Sequence, residues 1–82
     1  MRRIYCRLNV LMAERNLRLA KEGKHLSQRG LAEELDISPT TVNKLYNGRP
    51  MIARIDPEVV EKVCNYFGCD VGDLFEMRED VA

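Results

Sequence analysis

The chain has no tryptophan, one histidine and three prolines in 82 residues, and its 13 basic residues balance its 13 acidic ones. A lone histidine leaves little from which to build catalytic dyads or histidine-rich metal sites. No Ser-His-Asp or Cys-His arrangement stands out, and no glycine-rich phosphate loop is present; the expectation is a protein that is not an enzyme. Three cysteines are an odd number, which excludes a complete disulfide framework. Reduced thiols in a cytoplasmic protein are the simplest reading. Two sharper readings stay open: a metal site from Cys64, Cys69 and His25, disfavoured because the spacing is not Cys-x-x-Cys, and a redox-sensing thiol at Cys69. No metal or cofactor is expected. No apolar run approaches the ~18 residues of a membrane span. The opening Met-Arg-Arg-Ile-Tyr-Cys-Arg is interrupted by charge, which argues against a signal peptide.

Eighty-two residues make a single small domain, 1–82, with a core that has little to spare. The zero net charge hides an asymmetry. Residues 1–54 hold eleven Lys or Arg against five Asp or Glu, whereas residues 55–82 hold two against eight. Such a division lets one face meet phosphate while the other stays solvated or meets a protein partner.

Residues 28–47 read as helix, turn and helix. Leu31 and Leu35 share one helical face, Val42 and Leu45 share another, and Ile37 plugs the turn between. Ala32 is small where two helices must cross. Ser27 caps the first of these helices and Ser38 the second, with Pro39 in the first helical position and Gly48 able to close the end. This is the pattern of a helix-turn-helix, whose second helix is built to enter the DNA major groove.

With Leu-Ser-Gln from Leu26 and Leu-Tyr-Asn-Gly ending at Gly48, the segment resembles the Cro and CI-type repressor class, the XRE family. The stretch from Pro57 to Phe75 is similar to that family's last two helices. The resemblance implies an all-α, five-helix bundle of the lambda-repressor-like type that binds double-stranded DNA as a small transcriptional regulator, a repressor by analogy. Two departures stand out. Asp36 occupies the turn position usually held by glycine, and aspartate tolerates left-handed geometry better than most residues. Residues 17–25 intervene before Leu-Ser-Gln, either lengthening the first helix towards Gly23 or forming a loop.

Along the chain, Ile4, Leu8, Leu11, Met12 and Arg15 predict a first amphipathic helix over residues 2–20, with Cys6 inside it. Residues 49–55 connect to a fourth helix that starts at Asp56-Pro57-Glu58 and ends at Gly68. A short fifth helix is expected over 71–76, capped by Asp70, and residues 77–82 should fray.

On the second helix of the motif, Thr40, Thr41 and Lys44 cluster opposite Val42 and Leu45 and are candidate base readers; Asn43 is less well oriented. A threonine methyl can touch a thymine methyl, and a lysine can reach guanine O6 and N7. The resemblance also matches Thr40, Thr41 and Lys44 to base-reading positions and Ser38 to a position near the sugar-phosphate backbone. Gln28 opens a helix whose amides and dipole favour phosphate, and the resemblance makes it a phosphate clamp. Asn47, Gly48, Arg49 and Arg54 can supply further backbone contacts. Tyr46 reads as packing. So small a module is expected to act as a homodimer on a palindromic site, with Phe67, Val71, Leu74 and Phe75 as candidate dimer residues. The rival reading is a protein-interaction module, such as an antitoxin or adaptor, with a protein partner at the acidic C-terminal half.

Overall fold

A computed structural model describes residues 1–52 and 54–80. Ala53 of the expected connecting loop, and Val81 and Ala82 of the expected frayed tail, lie outside the described residues. The elements run β1 (Arg2–Cys6), α1 (Leu8–Leu19), α2 (Gln28–Leu35), α3 (Pro39–Tyr46), α4 (Pro57–Phe67), α5 (Val71–Leu74) and β2 (Phe75–Glu79). Five helices form as expected, but the fold is not all-α. The chain ends meet in an antiparallel pair, with Arg2 opposite Glu79, Ile4 opposite Met77 and Cys6 opposite Phe75.

This pairing overturns three expectations. Residues 2–6 are a strand, so the first helix begins at Leu8 and Cys6 precedes it. The four-residue spacing of Ile4 and Leu8 imitates a helical face, but Ile4 and Tyr5 also suit a pleated surface, and a partner strand decides between the two. The fifth helix stops at Leu74, because Phe75 is already extended at φ −118° and ψ 146°. Residues 77–80 are tied rather than frayed: residues 77–79 lie in β2, and the Asp80 N–H donates to the Met1 carbonyl at 3.0 Å.

Residues 17–25 continue the first helix and then leave it. α1 ends at Leu19, one 3₁₀ turn covers Ala20–Glu22, and Gly23 closes it in the left-handed region at φ 69°. The segment is then clamped. The Asn16 amide donates to the Leu26 carbonyl at 3.0 Å and accepts from the Leu26 N–H at 2.7 Å. One side chain thereby satisfies both backbone groups of the residue that leads into α2.

Leu8, Met12, Leu31, Ala32, Val42, Leu45, Val63 and Leu74 form the centre of one hydrophobic cluster, drawn from all five helices. Leu74 is fully buried, so it is a core residue and not a docking residue. Arg15 reaches from α1 to the end of α4. Its guanidinium lies 5.1 Å from the ring centres of both Tyr66 and Phe67 and donates to the Tyr66 carbonyl at 3.3 Å. A cation at a helix C-terminus and over two ring faces is favoured by both dipole and quadrupole.

Two predictions test this frame. Asn16→Ala should lower unfolding free energy by about 2 kcal/mol, because the Leu26 backbone is left part-buried and unpaired; denaturant titration measures it. Burial pushes the Cys6 thiol from 9.0 up to about 11. The unfolded chain ionises first, so this contribution is intact below pH 9 and is lost as pH rises from 9 to about 11. The stability gap between the unaltered chain and Cys6→Ala should therefore narrow across that window.

Candidate nucleic-acid interface

Two serines set where the paired helices begin. Ser27 is extended, and its hydroxyl accepts from the Gly30 N–H at 2.9 Å. A methyl group at Gly30 would come within 3.1 Å of that same oxygen, so glycine leaves the cap undisturbed. Ser38 is likewise extended, and its hydroxyl accepts from the Thr41 N–H at 3.1 Å. Each cap satisfies an orphan amide and is worth ~1 kcal/mol.

Between the helices the chain must reverse sharply. Asp36 does so at φ 53°, the one non-glycine residue with positive φ among those described. Its N–H bonds to the Glu33 carbonyl, and the Ile37 N–H returns to the Ala32 carbonyl at 3.0 Å. Ile37 then packs against the cluster. The aspartate turn therefore forms without glycine.

α3 has two unlike sides. Val42 and Leu45 are buried, whereas Thr40, Asn43, Lys44 and Asn47 are all exposed. Those four follow an i, i+3, i+4, i+7 progression and so make one stripe along the helix. Thr41 is half-buried at the flank, and its hydroxyl lies 2.7 Å from that of Ser38. Thr40 and Lys44 therefore lie together, Asn43 is exposed beside them, and Thr41 is engaged by the cap. Tyr46 packs against the cluster as expected.

The segment after α3 is held as well. The Asn47 side chain accepts from the Arg49 N–H at 2.9 Å, and Gly48 takes φ 73°. Pro50 bridges to Tyr5, and the Met51 N–H donates to the Ile4 carbonyl at 2.8 Å. Arg49 and Arg54 are exposed, and Gln28 is half-exposed at the start of α2. Acidic residues accompany them: Glu33, Glu34 and Asp36 are also exposed. Among the described residues no group of His, Cys, Asp and Glu is arranged to hold a metal ion. Burial raises the Cys6 and Cys64 thiols, which keeps both protonated near neutral pH.

The profile of the Cro/C1-type HTH DNA-binding domain matches residues 7–80. The chain belongs to that family. It is thus a helix-turn-helix, DNA-binding domain of the kind used in transcription regulation. No curated protein and no solved structure is significantly similar to it, and no helix among the described residues is long and apolar enough to cross a membrane.

Three positioning features of this Cro/C1-type domain escaped the sequence reading. The Asn16 clamp fixes Leu26, two residues before Gln28. Asn9 of α1 lies beside Gly48, within 3.8 Å of where a side chain there would begin. β1 holds the loop that carries Arg49. Each joins residues distant in sequence, so only the helical periodicity of α1 hinted that Asn9 and Asn16 share a side, seven residues apart. Asp36→Gly should raise stability by about 0.5–1 kcal/mol by relieving the left-handed backbone; thermal or denaturant unfolding against the parent measures it. A destabilised Asp36→Gly would mean that the carboxylate, not the backbone, holds the turn.

Proposed function

We propose that this chain is a small transcriptional repressor that reads double-stranded DNA with α3 in the major groove. The observation that carries this reading is the exposed stripe of Thr40, Asn43, Lys44 and Asn47 on a helix whose opposite side is locked into the core. In that role Lys44 donates to guanine O6 and N7, and Asn43 pairs with an adenine edge. Thr40 supplies a methyl and a hydroxyl. Thr41 contributes its exposed edge while its hydroxyl braces Ser38 at the backbone end. Gln28, Ser38, Asn47, Gly48, Arg49 and Arg54 position the duplex by its phosphates and carry no sequence information of their own.

Such a module touches few base pairs, so a homodimer on a palindromic operator supplies the affinity, with recognition helices one DNA turn apart, ~34 Å. Occupying the operator blocks polymerase. The domain 1–82 acts as one unit in this reading, without catalysis or cofactor. A pure interaction module would bind its protein partner through apolar contacts and show no steep salt dependence on DNA.

In vitro selection of bound duplexes, followed by binding titrations, tests the assignment. Lys44→Ala should weaken the selected site by ~1–3 kcal/mol and relax preference at one base position. Gln28→Ala and Arg49→Ala should instead weaken all duplexes about equally, and Arg49→Ala should reduce the salt slope by about one. Unaltered base preference in Lys44→Ala would remove α3 from the groove.

A further inference from the structure

All three cysteines are free thiols, and two of them meet at one helix end. α4 closes at Gly68, which is left-handed at φ 65° and ψ 38°. The Gly68 N–H and the Cys69 N–H both turn back to the Cys64 carbonyl, the second at 3.0 Å. In such a closure the residue after the left-handed glycine folds onto the last turn of the helix, and their side chains touch. Here those two residues are Cys69 and Cys64. Standard bond lengths around a hydrogen bond of 3.0 Å hold their Cα atoms under ~7 Å apart. A disulfide spans that separation without backbone movement.

The side chains agree with the backbone. Cys64 and Cys69 line one surface cleft of about 240 Å³, together with Val60, Glu61, Asn65 and Asp70. Burial is the first cause that raises the Cys64 thiol, and the neighbouring Cys69 thiol is the next, through its charge and a hydrogen bond. The two sulfurs differ in access. Cys64 is 8% exposed and belongs to the core, whereas Cys69 is half-buried beside it. The third thiol, Cys6, ends β1 at 3% exposure and does not line the cleft. An accessible thiol beside a sheltered second one is the arrangement in which a first oxidation is resolved as a disulfide.

We propose that Cys64 and Cys69 are an oxidative modification site: a hydroperoxide converts the pair into a disulfide within one chain, stapling the end of α4 to the turn that enters α5. The Cys69 thiolate attacks the terminal peroxide oxygen. An S–O bond forms, the O–O bond breaks, and the departing oxygen leaves as an alcohol or water with the thiol's proton. Cys69 is then a sulfenic acid, oxidised by two electrons. The Cys64 sulfur attacks the Cys69 sulfur, the S–S bond forms and the S–O bond breaks, and hydroxide leaves as water with the Cys64 proton. In sum, two thiols and ROOH give a disulfide, ROH and water. A reducing dithiol reverses the change by exchange.

The staple falls where the fold turns a corner. Tyr66 and Phe67, between the two cysteines, hold Arg15. Asp70, next to Cys69, opens α5 with its N–H donated to the Asp73 carboxylate at 2.9 Å. Closing this short loop removes freedom from the unfolded chain and so favours the folded one. α3 is not among the joined segments, so its exposed stripe is unaltered by the bond. The inference goes beyond the proposed function and does not rest on it.

Hydrogen peroxide added to the reduced full chain, read by intact mass and thiol titration, is the test. Each chain should lose two hydrogens and two of its three thiols. Chymotrypsin cuts after Tyr66 and Phe67, between the cysteines, so the digest should contain the Cys64 and Cys69 peptides joined until reductant is added. The denaturant midpoint should rise on oxidation and return on reduction. Cys6→Ser should oxidise as the parent does, and Cys69→Ser should form no cross-link within the chain. Cys64→Ala, with its fold checked by circular dichroism, should stop at a Cys69 sulfenic acid that a cyclic 1,3-dione traps. The peptide map of the parent decides the matter even where a core variant fails to fold. A parent that keeps all its thiols in excess peroxide, that carries Cys69 sulfinic acid in place of the bond, or that bonds through Cys6 or between two chains overturns the proposal. A midpoint lowered by oxidation overturns it as well, since the bond would then strain the turn.

Discussion

The pairing of the chain's two ends is the constraint on which the remaining structure depends. β1 and β2 bring residues 2–6 against residues 75–79. That contact draws Arg7 onto the end of α5, where its backbone donates to Leu74 and its side chain to the Asp73 carbonyl at 2.8 Å. Leu74 is thereby held at the bottom of the core. The same strand, β1, holds Pro50 and Met51, so the loop leaving α3 is set by residues from the chain's opposite end. In a domain this small, where burial is marginal, such closure removes freedom that helix packing alone would leave.

Charge is used in the same way. The basic N-terminal and acidic C-terminal segments look, in sequence, like separate faces for phosphate and for solvent. In the fold they partly neutralise each other across the sheet: Arg3 lies 3.6 Å from Asp80, and Arg2 stands opposite Glu79. Exposed pairs of this kind add little stability. Their consequence is to engage Arg3 at the sheet, leaving Lys44 on α3 and Arg49 just after it as exposed cations. Arg15 is withdrawn too, held between Tyr66 and Phe67.

The candidate interface is rigid because each of its ends is fixed twice. α2 starts at a serine cap and behind an asparagine clamp; α3 starts at a serine cap braced by Thr41 and ends in an Asn47–Arg49 turn beside the sheet. A helix that carries its polar stripe on such supports needs little reorganisation to engage a ligand, and preorganisation lowers the ordering cost of binding.

Local chemistry alone determined the helix-turn-helix. Serine caps, proline at the first helical position, glycine at left-handed ends and apolar residues at helical spacing act within a few residues, so α2, α3, α4 and their limits were legible, and the left-handed Asp36 with them. The family followed from the same stretch. The candidate stripe on α3 was legible in outline, since helical angle separates Thr40 and Lys44 from Val42 and Leu45. What tertiary structure decided was everything that needed a distant partner. Ile4 and Leu8 fit a helix or a strand equally until Met77 stands opposite Ile4, and the alternation of Phe75, Glu76, Met77 and Arg78 acquires meaning only with an edge to pair against. The Asn16 clamp on Leu26 belongs to this second class. Strand pairing and side-chain bonding draw their free energy from contact, and contact is a property of the folded chain, not of its local sequence.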